Sequence, residues 1–217
     1  MPARRSYGDS CGIARALDVV GERWSLLIVR ELLLGPKRFA DLRSGLPGVS
    51  ANVLSQRLRE LEAAGLVRRV SLPPPVGSRV YELTECGLEL EPVLVALGRF
   101  GRDVPFPDGS GPLGTDAAVI ALRTTFDPAA AAGLEADVEL RLGPDRFIAR
   151  VRDERLDVAR DAGSAAGAGL HTDTGTLAGL LWHGQRLRQA ERSGAATVTG
   201  DRSLVERFLT LFDGRPG

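Results

Sequence analysis

Hydrophobic and polar positions are distributed differently in the two halves of the chain. Apolar residues recur at helical spacing up to about residue 100, whereas beyond residue 115 alternating apolar and polar stretches are mixed with helical ones. Between the halves, the sequence VPFPDGSGPLG is too rich in proline and glycine for a helix or a strand. We therefore predict two domains, 1–104 and 115–217, joined by a linker at 105–114.

The first half is predicted to be mostly helical. Helical spacing indicates three helices over Gly12–Val20, Arg23–Leu34 and Phe39–Leu46, and a fourth over Ala51–Ala64 that ends at Gly65. At about 100° per residue, the fourth helix has one narrow apolar face and one polar face. The apolar face holds Leu54, Leu58 and Leu61, and the polar face holds Asn52, Ser55, Gln56 and Arg59.

Two interpretations of the fourth helix follow from this pattern. A surface helix with a solvated polar face is the ordinary one. However, the elements also follow the order of a helix-turn-helix: a short helix, a tight turn at Pro47-Gly48 and an amphipathic helix capped by Ser50. Two short strands, Leu66–Leu72 and Arg79–Leu83, follow around a proline-rich tip at Pro73–Ser78, which predicts a β-hairpin wing.

Local charge favours the second interpretation. The whole chain carries 28 basic and 28 acidic residues, so its overall field attracts neither nucleic acid nor an anionic membrane. The segment from Lys37 to Arg79, in contrast, holds eight basic and three acidic residues. This predicted basic patch coincides with the helix and the wing, and double-stranded DNA is the expected partner. Pairing of Arg57 and Arg59 with nearby glutamates is the structural alternative for those two residues.

One long helix is predicted over Thr84–Phe100, with Thr84 as its N-cap and a kink at Pro92. Its apolar stripe is wider than one small domain can cover, and we therefore expect a homodimer. The stripe consists of Leu88, Leu90, Val93, Leu94, Val95, Leu97 and Phe100.

The second half is predicted to be an α+β domain. A helix over Ala117–Phe126 precedes three strands, Ala136–Leu142, Arg146–Arg152 and Leu156–Ala159, which we expect to form an antiparallel sheet. The glycine-rich stretch Gly163–Leu170 is interpreted as a mobile connection. A further strand is predicted at Ala196–Thr199. Three helices are predicted to cover one face of the sheet, at Thr174–His183, Arg186–Arg192 and Ser203–Phe212.

Candidate chemistry for catalysis or metal binding is sparse. The two cysteines, Cys11 and Cys86, have neither disulfide nor metal-ligand spacing, and the histidines, His171 and His183, are expected in a loop and at a helix end. We therefore predict no catalytic residues, no metal and no cofactor. The longest apolar run is interrupted by Arg30 and Glu31, and the N-terminus leads into no apolar signal core, which favours a cytoplasmic protein without a membrane partner.

The first half resembles the HxlR family of winged helix-turn-helix transcriptional regulators, within the larger MarR-like group. The resemblance covers about residues 8–101 and implies a dimeric bacterial repressor or activator. It departs from the family at Gly12, where a proline is usual after the early cysteine, and at Phe100-Gly101, where a Trp-Gly pair is common. The segments that carry it are Cys11, GERWSLLIVRELLLGPKRFADLRSGLPGVSANVLSQRLRELEAAGLVRR and YELTECG.

From this reading we predict the DNA-binding residues. Asn52, Ser55, Gln56 and Arg59 are expected near base edges, Ser50 at the start of the recognition helix, and Lys37, Arg38 and Arg79 on phosphates or in the minor groove. In some relatives the early cysteine senses oxidants, and the cations Arg4, Arg5 and Arg15 would favour a Cys11 thiolate here. A small buried residue near the dimer interface is the interpretation that we prefer for Cys11.

The second half resembles the sterol carrier protein fold over about residues 115–214. This resemblance implies an apolar tunnel between sheet and helices, and hence a hydrophobic small molecule that modulates DNA binding. An ordinary filled core fits the same leucine-rich helices equally well. A lipid-carrying or protein-docking module that uses the winged helix only for dimerisation is the alternative function. The features that carry the resemblance are Leu180-Leu181 before Gly184, the Ser193-Gly194 turn, Gly200-Asp201 after a strand, and Leu211-Phe212.

Overall fold

The computed structural model describes residues 6–71, 77–102, 104, 113–160, 163 and 166–212. The chain divides into two compact units, Met1–Leu94 and Val95–Gly217. Residues 105–112 of the expected linker lie outside the described residues, so the linker stays a prediction. None of the helices in the described ranges combines the length and the apolar character that a membrane span requires.

The first unit is built from short helices and one β-hairpin, as the spacing of apolar residues predicts. Its elements are α1 (Gly12–Val20), α2 (Ser25–Leu32), α3 (Phe39–Gly45), α4 (Ala51–Ala63), β1 (Val67–Ser71), β2 (Arg79–Leu83) and α5 (Glu85–Leu88). The core forms where α2, α3 and α4 pack together around Ile28, Leu42 and Leu58, whose side chains are completely buried. Because this core fixes α4 through its leucine face, the opposite face remains available to solvent.

The single kinked helix predicted over Thr84–Phe100 is wrong. Thr84 does cap a helix, since its hydroxyl accepts a hydrogen bond from the Gly87 amide at 3.1 Å. That helix, α5, ends at Leu88, and a separate helix, α6 (Glu91–Gly101), follows. Proline lacks an N–H and disfavours helical backbone in the residue before it, so Pro92 occupies the first turn of a new helix.

The second unit contains a five-stranded sheet and helices. Its elements are α7 (Thr115–Thr125), β3 (Ala136–Leu142), β4 (Asp145–Arg152), β5 (Arg155–Arg160), β6 (Ala168–Thr172), α8 (Thr174–Trp182), α9 (Leu187–Arg192), β7 (Ala196–Gly200) and α10 (Arg202–Leu209). The strand order is β5-β4-β3-β6-β7. One face of the sheet is apolar, with Val138, Leu140 and Phe147 completely buried, and α10 packs on the β3 and β6 strands.

One prediction about this sheet is wrong and another is confirmed for the strands that it named. The stretch Gly163–Leu170 is not a connection throughout, because Ala168–Thr172 forms strand β6. The three strands expected to pair antiparallel, β3, β4 and β5, do so. The complete sheet is nevertheless mixed, because β6 pairs with β3 in parallel, Leu140 lying opposite Leu170. Alanine and glycine have little intrinsic preference for strands, so the sequence pattern did not predict β6. A methyl group on Gly169 would come within 2.5 Å of Thr199 Oγ1 in β7, so glycine permits this close approach.

His171 is also placed differently from the loop expected for it. It lies in β6, on the polar face of the sheet, with Nε2 3.2 Å from Glu139 Oε1. Arg146 on β4 forms an ion pair with the same carboxylate of Glu139. His183 does lie at a helix end, immediately after α8. Both histidines therefore occupy structural positions in the sheet and at the end of a helix.

Candidate nucleic-acid interface

Helix α4 is held in place by its ends and by its leucine face. Ser50 adopts an extended conformation and its hydroxyl accepts a hydrogen bond from the Val53 amide at 3.3 Å, as predicted for an N-cap. Gly65 follows the helix with a φ of +74°, a left-handed conformation that glycine adopts without steric cost. Leu54 and Leu58 are completely buried and Leu61 nearly so. The rotation of α4 about its axis is thereby determined.

The polar face of α4 points away from this core. Asn52, Gln56 and Arg59 are exposed and Ser55 is half-buried. Gln56 donates from Nε2 to Glu60 Oε1 at 3.0 Å, and Arg59 donates from Nε to the Ser55 carbonyl at 3.3 Å. These contacts are exposed and local to the helix, so the side chains can exchange them for contacts with a ligand at little cost.

The predicted wing is present as an antiparallel pair, β1 and β2, in which Ser71 lies opposite Arg79. Arg79 is exposed at the start of β2. Residues 72–76, which comprise the end of the first predicted strand and most of the predicted tip, lie outside the described residues. Within the hairpin, Arg68 forms a cross-strand ion pair with Glu82 at 2.6 Å. Arg79 is therefore the predicted wing residue that the structure presents to solvent at the start of β2.

Acidic residues neutralise several cations of the predicted basic patch. Arg57 is largely buried and pairs with Glu60 and, at 3.0 Å, with Glu22. Three of the acidic partners in this region lie outside the segment from Lys37 to Arg79 that the sequence count covered: Glu22, Glu31 and Glu82. The count along the sequence therefore overstates the positive charge of the folded surface. Exposed arginines of this region include Arg38, Arg43, Arg59 and Arg79.

The predicted phosphate contacts Lys37 and Arg38 are adjacent in sequence but differ in their surroundings. The Lys37 side chain is 12% exposed and its Nζ lies 2.6 Å from Glu31 Oε2. Arg38 is exposed at the N-terminus of α3, where its amide donates to Asp41 Oδ2 at 3.2 Å. The structure thus presents Arg38 to a ligand more openly than Lys37.

Cys11 was expected to be buried near a dimer interface, and this expectation stays a prediction. It precedes α1 and is exposed in the single chain, and its carbonyl accepts a hydrogen bond from the Arg15 amide at 3.0 Å. Cys86, in the first turn of α5, is exposed as well.

Large aromatic side chains pack in the apolar interior of the second unit. Phe208 on α10 is completely buried and packs edge-to-face against Phe212, with ring centroids 5.1 Å apart. In the described ranges, one surface cavity is lined by residues that include Leu17 and Asp18. A second surface cavity is lined by residues that include Arg188 and Arg202. Neither lies between the sheet and α10. The sterol-carrier resemblance and its apolar ligand remain predictions.

Two aspartates in the second unit act as helix caps. Asp173 accepts a hydrogen bond from the Thr176 amide at 2.7 Å, and this bond holds the pKa of Asp173 below its usual value. Asp201 accepts hydrogen bonds from the Ser203 hydroxyl and from the Ser203 and Leu204 amides, which lower the pKa of Asp201 in the same way. These carboxylates are explained by the fold and require no catalytic role.

Comparison with known proteins places the first unit among DNA-binding regulators. Residues 19–106 match the HxlR-like helix-turn-helix family. The HTH-type transcriptional regulator sll1512 of Synechocystis is 40% identical over 97 residues, which are 44% of this chain and 71% of the relative. YvaP, an HTH-type transcriptional regulator of Bacillus subtilis, is 38% identical over 89 residues, or 41% of this chain and 82% of the relative.

A solved structure of quinone-bound YodB from B. subtilis is 32% identical and has a TM-score of 0.36. It corresponds to 41% of this chain and 93% of that one. The matched family segment ends at residue 106 and does not reach the five-stranded sheet.

Proposed function

Because this chain belongs to the HxlR-like helix-turn-helix family of transcriptional regulators, we propose that it binds operator DNA as a homodimer, with α4 in the major groove. The observation that carries this proposal is the division of α4 into a buried leucine face and an exposed polar face. A solvated surface helix also has a polar face. The helix-turn-helix order and the wing that follows α4 favour DNA as the partner of this face.

The exposed residues of α4 suit the edges of base pairs. An asparagine or glutamine amide can donate to and accept from adenine, and a guanidinium can donate twice to guanine. Asn52, Gln56 and Arg59 carry these groups, and Ser55 can contact either base type. Ser50, at the helix N-terminus, lies where free backbone amides favour a phosphate. Its hydroxyl is engaged as the cap, so its contribution to binding is to orient the first turn.

Backbone contacts would come from the exposed arginines on either side of α4. Arg38 precedes α3 and Arg79 begins β2, so both can reach phosphates or the minor groove beside the recognition helix. Lys37 was predicted to act in the same way. Its ion pair with Glu31 makes it a poorer candidate for direct contact than its neighbour Arg38, and we assign it a structural role below.

Exposed apolar side chains support a homodimer. Phe100 on α6 is 74% exposed and Ile13 on α1 is 72% exposed, and Leu97 and Leu17 lie beside them on the same helices. Exposed apolar groups at helical spacing are typical of faces that another chain covers. In a two-fold dimer the recognition helices would lie about 34 Å apart, one turn of DNA, which suits a palindromic operator.

The test is binding of the purified protein to the DNA upstream of its own gene, with a scrambled duplex as control. We expect a preference for the upstream DNA, and an affinity that falls steeply with added salt because phosphate contacts release counterions. Equal, weak binding to both duplexes would contradict operator recognition. An affinity that does not depend on salt would favour the alternative in which the winged helix serves dimerisation alone.

We further propose that the second unit modulates DNA binding by taking up a hydrophobic small molecule. The apolar contact of α10 with the sheet, at which Phe208 is completely buried, supports an apolar ligand. Ligand can act only through a difference in affinity between the DNA-competent and incompetent states. A fluorescent fatty acid that binds saturably and shifts operator affinity would support this role, whereas no saturable binding would contradict it.

The exposure of Cys11 favours a second mode of regulation. A thiol accessible at the start of α1, beside a helix with an exposed apolar face, could alter dimer geometry when oxidised. This mode does not depend on the second unit, so the two can be tested separately.

A further inference from the structure

A buried ion pair lies at the junction between the helical core and the wing. Glu31, at the end of α2, is 2% exposed and accepts hydrogen bonds from Lys37 Nζ at 2.6 Å and from Arg30 Nη2 at 2.8 Å. A methyl group on Gly45, the last residue of α3, would collide with Glu31 Oε2. The end of α3 therefore packs directly on the Glu31 carboxylate.

Lys37 connects this carboxylate to the wing through its backbone. Its amide donates to the Tyr81 carbonyl at 2.9 Å, and the Tyr81 amide donates to the Lys37 carbonyl at 2.8 Å. Lys37 thus pairs with β2 as a one-residue third strand. Because its side chain is held by Glu31 and its backbone by Tyr81, movement of the wing root would strain both contacts.

The other strand of the wing is tied to the recognition helix. The Arg69 guanidinium lies over the Tyr81 ring, 5.3 Å from its centroid, and Arg69 Nη2 lies 3.0 Å from Glu62 Oε2 near the end of α4. Glu31, Lys37, Tyr81, Arg69 and Glu62 form a continuous chain of contacts, which we call the wing-root clamp. It runs from α2 through both wing strands to α4.

We propose that the wing-root clamp fixes the angle between the wing and α4, and that Glu31 and Glu62 are positioning residues for DNA binding. This inference rests on the proposed function. A buried ion pair contributes little net stability, but it is costly to break on one side, so it holds its partners in one arrangement. Recognition needs such an arrangement, since α4 and Arg79 must meet one duplex at the same time.

Simple electrostatics and the wing-root clamp predict opposite changes in DNA affinity for the same substitutions. Removing an acidic group near DNA lowers repulsion of the phosphates, and Glu31→Gln would also release the Lys37 ammonium. If charge alone mattered, Glu31→Gln and Glu62→Gln would bind DNA more tightly. If the clamp positions the wing, both variants bind more weakly despite their gain in positive charge.

The experiment measures operator affinity for wild type, Glu31→Gln, Glu62→Gln and each of these combined with Arg79→Ala. Glu22→Gln serves as a matched control, because Glu22 lies in the same unit but pairs with Arg57 rather than with the wing. Circular dichroism and thermal unfolding check that each variant folds. Glu62 is partly exposed, so we expect Glu62→Gln to fold, and its operator affinity can be measured even if Glu31→Gln is unstable.

We expect each clamp variant to weaken operator binding about five- to tenfold, and Arg79→Ala to weaken it about tenfold. The double variants should bind the operator no more than about twofold more weakly than Arg79→Ala. Once the wing has lost its DNA-binding arginine, a change in the angle of the wing costs no further affinity. Tighter binding by both folded clamp variants, or effects that multiply with Arg79→Ala, would overturn the inference. If wild type itself does not prefer the operator, the proposed function fails first.

Discussion

Replacing Gln56 with alanine should weaken binding to the operator and leave binding to unrelated DNA unchanged. The amide of Gln56 is exposed and donates to Glu60 at 3.0 Å, an (i, i+4) contact worth a few tenths of a kcal/mol. Alanine is the better helix former, so the free energy of unfolding should change by less than about 0.5 kcal/mol. Removing an amide–adenine pair costs about 1–3 kcal/mol, which raises the operator Kd about 5- to 150-fold.

Arg38→Ala is the matched comparison, because Arg38 is exposed on the same surface but is expected on a phosphate. This substitution should weaken binding to operator and scrambled DNA by similar factors. It should also reduce the slope of log K against log salt by about 0.9 for each phosphate that Arg38 neutralises. Gln56→Ala should leave this slope unchanged, since a neutral side chain releases no counterion.

Fluorescence anisotropy with labelled operator and scrambled duplexes, between about 50 and 200 mM salt, measures all of these quantities. The result that would refute the reasoning is an equal loss of affinity on both duplexes for Gln56→Ala. In that case the outer face of α4 contacts DNA without reading bases, and recognition has to be sought elsewhere, such as in the wing or in the shape of the DNA.

Three further predictions concern the dimer, a helix cap and the thiol. Phe100→Asp should abolish self-association in analytical ultracentrifugation and leave the circular dichroism spectrum unchanged, because the side chain is 74% exposed in the single chain; a dimer that persists would contradict the α6 interface. Since the pKa of Asp201 lies below its ordinary 3.8, wild type should be more stable than Asp201→Ala above about pH 4 and lose this advantage as pH falls through the lowered pKa; acid unfolding that is parallel for both would contradict it. Cys11→Ser should lose any response of DNA binding to hydrogen peroxide while keeping the response to an apolar ligand, and an unchanged oxidant response would exclude this thiol.

The helices of the first unit were predictable because each depends on neighbours in sequence. The leucines at positions 54, 58 and 61 define one face of α4, and Ser50 satisfies an amide three residues later. Such local signals also gave the two strands of the wing. They did not give the break between α5 and α6, because a pattern of apolar residues continues across Leu88 and Pro92 although the backbone cannot.

Strand β6 was missed for a different reason. Its first residues, Ala168 and Gly169, have no strand preference, and they form a strand because β3 and β7 supply partners on both sides. The parallel pairing follows from the path of the chain around β4 and β5, which alternation of apolar and polar residues does not encode. Tertiary contacts therefore decided both the existence of this strand and its direction.

The charge of the candidate DNA-binding surface also depends on tertiary contacts that the sequence pattern does not encode. Counting along the sequence credits every basic residue between Lys37 and Arg79 to the interface, but folding brings Glu22, Glu31 and Glu82 against three of them. A surface with fewer available cations depends less on general attraction to phosphates and more on the placement of those that remain. Holding Arg79 and α4 in one arrangement then becomes a requirement for recognition, and the residues that neutralise Lys37 and Arg69 also provide that arrangement.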